Sequence, residues 1–180
     1  MRKIIAGMFI TLDGVVEAPE QWNPPYYDEE LSHAVTRQLA AADTHLYGRR
    51  SYELFSAVFT GPGAPPHAEL MTGAQKVVVS TTMRAAGWGP TTVISGDVAA
   101  ALAELKRQPG KDIAVGASGT LVRFLLSERL LDELSLFVHP LLAGAGARLF
   151  AGQGGRVPLT LLESRPHRNG IVALRYAPAG

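Results

Sequence analysis

Short apolar segments alternate with amphipathic segments through the middle of the chain, and this alternation limits the possible folds more than any other feature. Residues 76–80 and 112–116 are apolar, β-branched runs too short for helices, so they predict buried strands. Between them, apolar residues recur at i, i+3, i+4 and i+7 across residues 98–105, the spacing of one helix face. Strands that alternate with helices predict an α/β fold with a mainly parallel sheet and helices on both faces.

The same patterns place the other elements. Further strands are expected at residues 3–12, 45–47, 92–94, 134–138 and 148–150, and further helices at residues 31–42, 49–58 and 118–127. Proline-rich residues 19–25 and 60–66 predict loops. Residues 159–163 and 171–176 are typical of a closing antiparallel pair, so the parallel sheet is expected to become mixed.

Composition narrows the possible functions. The 180 residues suit a single domain, and 17 basic against 16 acidic residues give a net charge of +1. We therefore expect no binding to nucleic acid or to membranes, and any anionic ligand must be held by a local site. The chain has no cysteine and its 5 histidines lack metal-ligand spacing, so no metal site is expected. No apolar stretch approaches the roughly 20 residues that cross a bilayer, and a cytoplasmic location is predicted.

Two junctions between a strand and a helix carry the residues of a phosphate site. Gly48, Arg49, Arg50 and Ser51 combine unpaired N–H groups at a helix start with two fixed positive charges. The turn at residues 116–120 (Gly116, Ala117, Ser118, Gly119, Thr120) combines two glycines with two hydroxyls. Ligands collect at the carboxyl ends of parallel strands, so the two turns together can hold the two ends of a dinucleotide. Each turn also has a simpler interpretation as an ordinary solvated connection.

These residues, in this order, resemble dihydrofolate reductase-like proteins. The resemblance rests on residues 5–16, 48–53, 76–82 and 112–126. The runs at 130–134, 140–142 and 144–146 are similar to the reductase domain of the bifunctional riboflavin-biosynthesis deaminase–reductase. The resemblance covers nearly the whole chain and implies one domain with a mixed, mostly parallel eight-stranded sheet between helices.

The resemblance also implies NADPH as cofactor. Residues 49–51 would meet the adenosine 2′-phosphate and the diphosphate, Ser80 and Thr81 would lie beside the adenosine, and residues 116–120 would wrap the diphosphate. Ala6, Asp13 and Val16 would border the nicotinamide. The arginine that many dihydrofolate reductases carry after this turn is missing here, where Gly119 or Thr120 stands, and this predicts a weaker hold on the cofactor.

The sequence indicates the substrate and proton-donor residues less clearly than the cofactor-binding residues. Hydride transfer to a C=N or C=O group also needs a proton, which a partly buried carboxyl group can supply. The segment from Trp22 to Asp28 resembles the loop and first helical turn that carry the acid of dihydrofolate reductases, but its spacing is longer by a residue or two. Asp28 is therefore the first candidate, Glu29, Glu30 or none of the three could fill the place instead, and Glu17 is a second candidate. Acidic residues in a first helical turn are also ordinary helix stabilisers. Trp22 and Tyr26 are candidates to stack on a flat heterocycle, or else to cover an edge of the core.

The function predicted from sequence is reduction of a small pteridine- or pyrimidine-like heterocycle by NADPH, as in 5-amino-6-(5-phosphoribosylamino)uracil reduction in riboflavin biosynthesis. The alternatives are dihydrofolate reduction and a nucleotide-binding module without catalysis. A homodimer is expected from the family and from the apolar residues 134–142, which would suit the interior of a sheet equally well.

Overall fold

The computed structural model describes residues 1–65, 67–84, 86–152 and 154–179. Its strands are β1 (Ile4–Thr11), β2 (Ala42–Gly48), β3 (Gln75–Val79), β4 (Thr91–Ile94), β5 (Asp112–Gly116), β6 (Glu133–His139), β7 (Leu159–Pro166) and β8 (Val172–Pro178). Its helices are α1 (Pro19–Trp22), α2 (Glu29–Ala40), α3 (Arg49–Thr60), α4 (Ala68–Gly73), α5 (Val98–Arg107) and α6 (Gly119–Ser127), with a 3₁₀ turn at Pro24–Tyr26.

All the strands join one eight-stranded sheet in the order β4-β3-β2-β5-β1-β6-β8-β7. The pairs from β4 to β6 are parallel, and β8 pairs antiparallel with both β6 and β7. The mixed, mostly parallel sheet is the architecture predicted from the sequence. Because β3, β2 and β5 are neighbouring parallel strands, their carboxyl ends meet at one edge of the sheet.

Alternating side chains assign the helices to the two faces of the sheet. In β2, Leu46 packs with Leu102 of α5 and Leu125 of α6 in the main core. The next residue, Tyr47, points to the other face, where it packs with Tyr52 and Phe59 of α3. A smaller cluster on that second face joins Leu31 of α2 to Phe137 and Ile171. The period of two along each strand thus builds a core on both faces.

The structure corrects some local predictions. The strand expected at residues 148–150 does not form, because Arg148 makes only an isolated bridge with Val15. The segment predicted as a loop at residues 19–25 contains α1 and the 3₁₀ turn, started by prolines, whose fixed φ suits a first helical position. The short α4 was not foreseen. The expected loop at residues 60–66 is present as far as residue 65, and residue 66 lies outside the described residues.

Within residues 134–142, considered above for a homodimer interface, the strand lies inside the sheet. Strand β6 lies between β1 and β8, Leu134 has no exposed surface, and Phe137 is also buried. The alternation of apolar residues there reflects burial on both faces of an internal strand. Pro140 and Leu142, beyond the strand, are exposed.

Candidate functional site

The two turns singled out in the sequence lie side by side at the carboxyl edge of the sheet. Ser51 Oγ donates a hydrogen bond to Ala117 O at 3.2 Å, linking the start of α3 to the turn before α6. A Cβ added to Gly48 would lie 3.2 Å from Ser118 Oγ, so the backbones approach closely there. Ala117 itself adopts a left-handed conformation (φ 51°), which is uncommon for a residue other than glycine.

A cavity of about 520 Å³ opens between these turns, and we call it the anion cavity. It is lined by Gly48, Arg49, Arg50, Ser51, Val79, Val98, Ser118, Thr120, Leu121 and Phe124. None of these lining residues is acidic. Six of the ten belong to the two turns, so residues far apart in sequence form one pocket.

Three helices begin at the anion cavity, and their ends differ. Asp97 caps α5 by accepting from Ala100 N at 3.0 Å, and Ser118 caps α6 by accepting from Leu121 N at 3.4 Å. Helix α3 starts at Gly48 and has no side-chain cap. Its first N–H groups are therefore free of a side-chain acceptor, and together with the helix dipole they favour an anion.

Arginine adds positive charge at the same helix start. Arg49 and Arg50 are both exposed, and Arg49 makes only a 3.4 Å contact with Glu53 one turn along α3. An exposed i,i+4 pair of this kind is worth a few tenths of a kcal/mol, about 0.3–0.5. Both guanidinium groups can therefore turn to a phosphate at little cost.

Ser80 and Thr81 follow β3 on the same edge but do not line the anion cavity. Ser80 is buried, and its Oγ accepts from Thr82 N at 3.2 Å and Met83 N at 2.9 Å. This side chain thus shapes its own turn, and Thr81 beside it is exposed.

The end of β1 is tied to a glycine-containing loop by Asp13. The Asp13 carboxylate accepts from Thr11 Oγ1 at 2.5 Å, Ala143 N at 3.1 Å and Gly144 N at 2.9 Å. Because these donors stabilise the charged form, they lower the pKa of Asp13 to about 2, with the Thr11 hydroxyl as the largest cause. Arg148 adds an ion pair at 3.5 Å.

Glu17 holds the same loop a few residues further on. Its carboxylate accepts from Ala147 N at 2.8 Å, while the side chain remains exposed. Val16 is half-buried and lies 3.7 Å from the position a Cβ would take on Gly119, so this segment borders the glycine turn. Ala6, in contrast, is fully buried in the main core, beside Val115 and Leu134.

Asp28 is the N-cap of α2. Its carboxylate accepts from Leu31 N at 2.9 Å, the contact that makes Asp the preferred residue at this position. The structure thus gives a structural hydrogen bond to each carboxylate proposed as a proton donor. A catalytic role for Asp28 or Glu17 stays a prediction.

Trp22 and Tyr26 converge on a residue that the sequence did not single out. His139, at the end of β6, is fully buried, and its ring centroid lies 4.9 Å from that of Trp22 and 5.6 Å from that of Tyr26. Both contacts are edge-on, as is the 5.5 Å contact between His139 and Phe9. We call these four side chains the aromatic cluster.

The sequence also missed the apolar lining of the anion cavity. Leu121 and Phe124 are three residues apart, so they share one side of α6. That spacing was available as a signal. The sequence did not predict that Val79 and Val98 line the cavity, because the order of β2, β3 and β5 in the sheet decides which residues meet there.

The described part of the chain contains neither a cluster of metal ligands nor a helix that could span a membrane. Residues 1–65, 67–84, 86–152 and 154–179 contain no group of three or more His, Asp or Glu that could hold an ion. Within those residues, no helix combines the length and the apolar character needed to cross a bilayer.

Comparison with known proteins places these features in a family. The family model of the RibD C-terminal domain matches residues 2–173. The uncharacterized protein YyaP of Bacillus subtilis is 28% identical over 180 residues, which cover 97% of this chain and 94% of YyaP.

Solved structures share the fold at low identity. A pyrimidine reductase-like protein of Corynebacterium diphtheriae has a TM-score of 0.69 and 14% identity, with 99% of this chain and 92% of that one covered. For the diaminohydroxyphosphoribosylaminopyrimidine deaminase/5-amino-6-(5-phosphoribosylamino)uracil reductase of Thermotoga maritima the TM-score is 0.70 and the identity 13%, over 99% and 57% of the two chains. Dihydrofolate reductase of Enterococcus faecalis, complexed with NADP(H), has a TM-score of 0.66 and 11% identity over 99% and 97%.

Proposed function

Because the chain belongs to the RibD C-terminal domain family, we propose that it is an NADPH-dependent reductase of a small pteridine- or pyrimidine-like heterocycle. The specific reaction we propose is the reduction of 5-amino-6-(5-phosphoribosylamino)uracil, the reductase activity for which the Thermotoga maritima protein is named. The observation that carries the proposal is the anion cavity, where an uncapped helix start, two arginines and a glycine turn meet.

The residues of the anion cavity fit a phosphorylated dinucleotide. In this proposal Arg49 and Arg50 hold the 2′-phosphate, because a guanidinium group binds phosphate oxygens in pairs. The N–H groups at the starts of α3 and α6 and the hydroxyls of Ser51, Ser118 and Thr120 receive the diphosphate. Val16 lies beside Gly119 of the turn before α6.

The chemistry needs a hydride at carbon and a proton at nitrogen or oxygen of the bond that is reduced. NADPH, when bound, supplies the hydride. The chain's own contribution is to hold the reactants close and to keep water out, since correct orientation removes much of the entropic barrier. The aromatic cluster offers ring edges and faces on which a flat heterocycle can stack.

Consumption of NADPH across a panel of aminouracils, pterins and dihydrofolate tests the proposal. We expect turnover with the aminouracil or pterin compounds. Turnover with dihydrofolate alone would identify a folate reductase instead. Tight NADPH binding without turnover on any compound would favour a binding module and overturn the reductase proposal.

Asp28→Asn tests the proton donor with the helix cap kept, because Asn caps helices about as well as Asp. If Asp28 supplies the proton, kcat falls by roughly two orders of magnitude, with the unfolding temperature unchanged. Glu17→Gln is the matched variant, since Gln can still accept from Ala147 N. Unchanged kcat in both variants would exclude both carboxylates.

We also propose that the chain forms a homodimer through the β7 edge rather than through β6. All eight residues of β7 are exposed, including Leu159, Leu161 and Leu162 at 37%, 51% and 48%. An unguarded edge strand with exposed leucines is a ready surface for another chain. The cytoplasmic location stays a prediction.

A groove beside β7 strengthens the case for this surface. It has a volume of about 430 Å³ and lies between α2 and the β7–β8 pair, with alanines 34, 41, 42, 114 and 173 among its lining residues. Its charged lining residues alternate in sign: Glu133 pairs with Lys3 and Arg175, and Arg175 pairs with Glu163. Apolar surface bordered by charges of both signs suits a second copy of the same chain.

Sedimentation of Leu161→Arg tests the interface. We expect the wild type to sediment as a dimer at micromolar concentration and Leu161→Arg as a monomer. Leu54→Arg is the control, because Leu54 is 52% exposed on α3, away from β7. A monomeric wild type, or a dimeric Leu161→Arg variant, would contradict the proposed surface.

A further inference from the structure

We infer that His139 is a positioning residue, which through Asn23 holds in place the segment that carries Trp22 and Tyr26, two half-exposed rings of the aromatic cluster. This inference rests on the proposed function, because it treats the aromatic cluster as the surface that receives the heterocycle. It assigns a role to a buried side chain that the reaction itself does not use.

The position of His139 makes it the centre of the aromatic cluster. It lies at the end of β6, next to Thr11 in the sheet, with none of its surface exposed. Phe9, Trp22 and Tyr26 surround its ring edge-on at 5.5, 4.9 and 5.6 Å. These neighbours come from β1, α1 and the 3₁₀ turn, so one imidazole joins three separate pieces of chain.

Both ring nitrogens of His139 are engaged. Nδ1 lies 2.9 Å from Phe137 O, and Nε2 lies 2.8 Å from Asn23 Oδ1. A carbonyl oxygen can only accept, so Nδ1 carries a hydrogen. Whether Nε2 donates or accepts then depends on its partner, Asn23.

The amide of Asn23 can satisfy Nε2 in either protonation state. A protonated Nε2 donates to Oδ1, and a neutral Nε2 accepts from the amide NH₂ once the amide has turned over. Burial lowers the pKa of His139 and favours the neutral ring. An amide at position 23 therefore keeps the link at any pH, whereas a carboxylate would keep it only with the protonated ring.

The groups around His139 supply little other charge. Of the rings that contact His139, only that of Tyr26 is titratable. Burial lowers the pKa of His139, while hydrogen bonds with the backbone of Phe137 and Ile10 raise it. Asn23 is thus the side chain whose hydrogen bond changes with the protonation state of the His139 ring.

Two further hydrogen bonds show that the segment is held at several points. Trp22 Nε1 donates to Glu17 O at 3.0 Å, and Asn169 Nδ2 donates to Tyr26 O at 2.6 Å. The backbone at Ala18, where the segment begins, is left-handed (φ 48°), a conformation that surrounding contacts must maintain. The bond from His139 to Asn23 lies between these two anchors.

The test uses Asn23→Ala, which removes the link from a half-buried loop position, and His139→Phe, which keeps the ring shape. Quenching of Trp22 fluorescence by acrylamide reports the position of the segment, and Trp22→Phe identifies its share of the signal. We expect quenching of Trp22 to rise about twofold in both variants. We also expect KM for the heterocycle to rise about tenfold, with NADPH affinity and kcat nearly unchanged, since about 1.4 kcal/mol of binding is lost.

Asn23→Asp separates the hydrogen bond from simple packing. The carboxylate pairs only with a protonated ring, so KM in this variant should rise with pH while KM of the wild type stays level. His67→Phe is the control, because His67 is equally a buried histidine but packs against Phe59, far along the chain from this segment.

Unchanged Trp22 quenching in Asn23→Ala and in His139→Phe would overturn the inference. Altered quenching with an unchanged KM would overturn the placement of the segment on the substrate side. If the wild type reduces no compound, the proposed function fails, and the quenching measurement still decides whether His139 anchors the segment.

Discussion

The anion cavity and the aromatic cluster lie on the same sheet and are built in opposite ways. The cavity is formed mainly by two turns of consecutive residues, 48–51 and 116–120, which supply six of its ten lining residues. The cluster draws single residues from β1, α1, the 3₁₀ turn and β6 around a buried His139. We therefore expect the protein to keep its stability when a side chain of the cavity is removed, and to lose stability when one of the cluster is removed.

Phe9→Ala should give the largest effect on stability. Phe9 makes edge contacts with Tyr27, Phe137 and His139, so removing its ring leaves a void in the cluster. We expect the free energy of unfolding to fall by about 3 kcal/mol, measured by urea denaturation. Phe150→Ala is the control, because Phe150 is 42% exposed and should cost little. A similar loss in both variants would remove the distinction between the regions.

Arg49→Ala should weaken cofactor binding and leave the stability of the fold unchanged. Loss of a charge-assisted contact with the 2′-phosphate is expected to weaken NADPH about 10- to 100-fold, with NADH affinity and the unfolding temperature nearly unchanged. Fluorescence titration with the two cofactors measures this. Arg107→Ala, an exposed arginine paired with Glu104, is the control. Equal weakening of NADPH and NADH would contradict the assignment of Arg49.

Gly48→Ala tests the close approach of the two turns. The new methyl group would lie 3.2 Å from Ser118 Oγ, tighter than ordinary contact, so we expect a loss of about 1 kcal/mol in stability and a few-fold loss in NADPH affinity. In a Ser118→Ala background, which lacks the crowding atom, the same change should cost less stability, as a double-mutant cycle would record. Independent effects of the two changes would argue against direct contact.

Asp13→Asn should give the smallest effect, visible only in acid. The folded pKa of Asp13 is about 2, below its ordinary value of 3.8, so its contribution to stability is full above pH 3.8 and is lost as the pH falls towards 2. We expect the wild type to lose more stability than Asp13→Asn over that interval, measured by thermal unfolding. Parallel curves would show that Asp13 does not hold the 143–148 loop through its charge.

The segments with clear periodicity were predictable because their side chains reflect burial directly. The helix at 98–105 and the strands at 76–80 and 112–116 lie within a residue or two of α5, β3 and β5. The strand at 148–150 was wrong, because three residues carry too little pattern to distinguish a strand from a bridge. Asp28 could be read either as a helix cap or as an acid, since both readings use the same residue at the same place.

By itself, the sequence determined the alternation of strands and helices, the mixed sheet and the two turns between strand and helix, because these depend on neighbouring residues. Only the tertiary structure decided that the turns share one cavity, that residues 134–138 are internal, and that His139 gathers Phe9, Trp22 and Tyr26. The reason is that strand order sets which chain ends meet. Local patterns record which residues are buried but not which distant residues they are buried against.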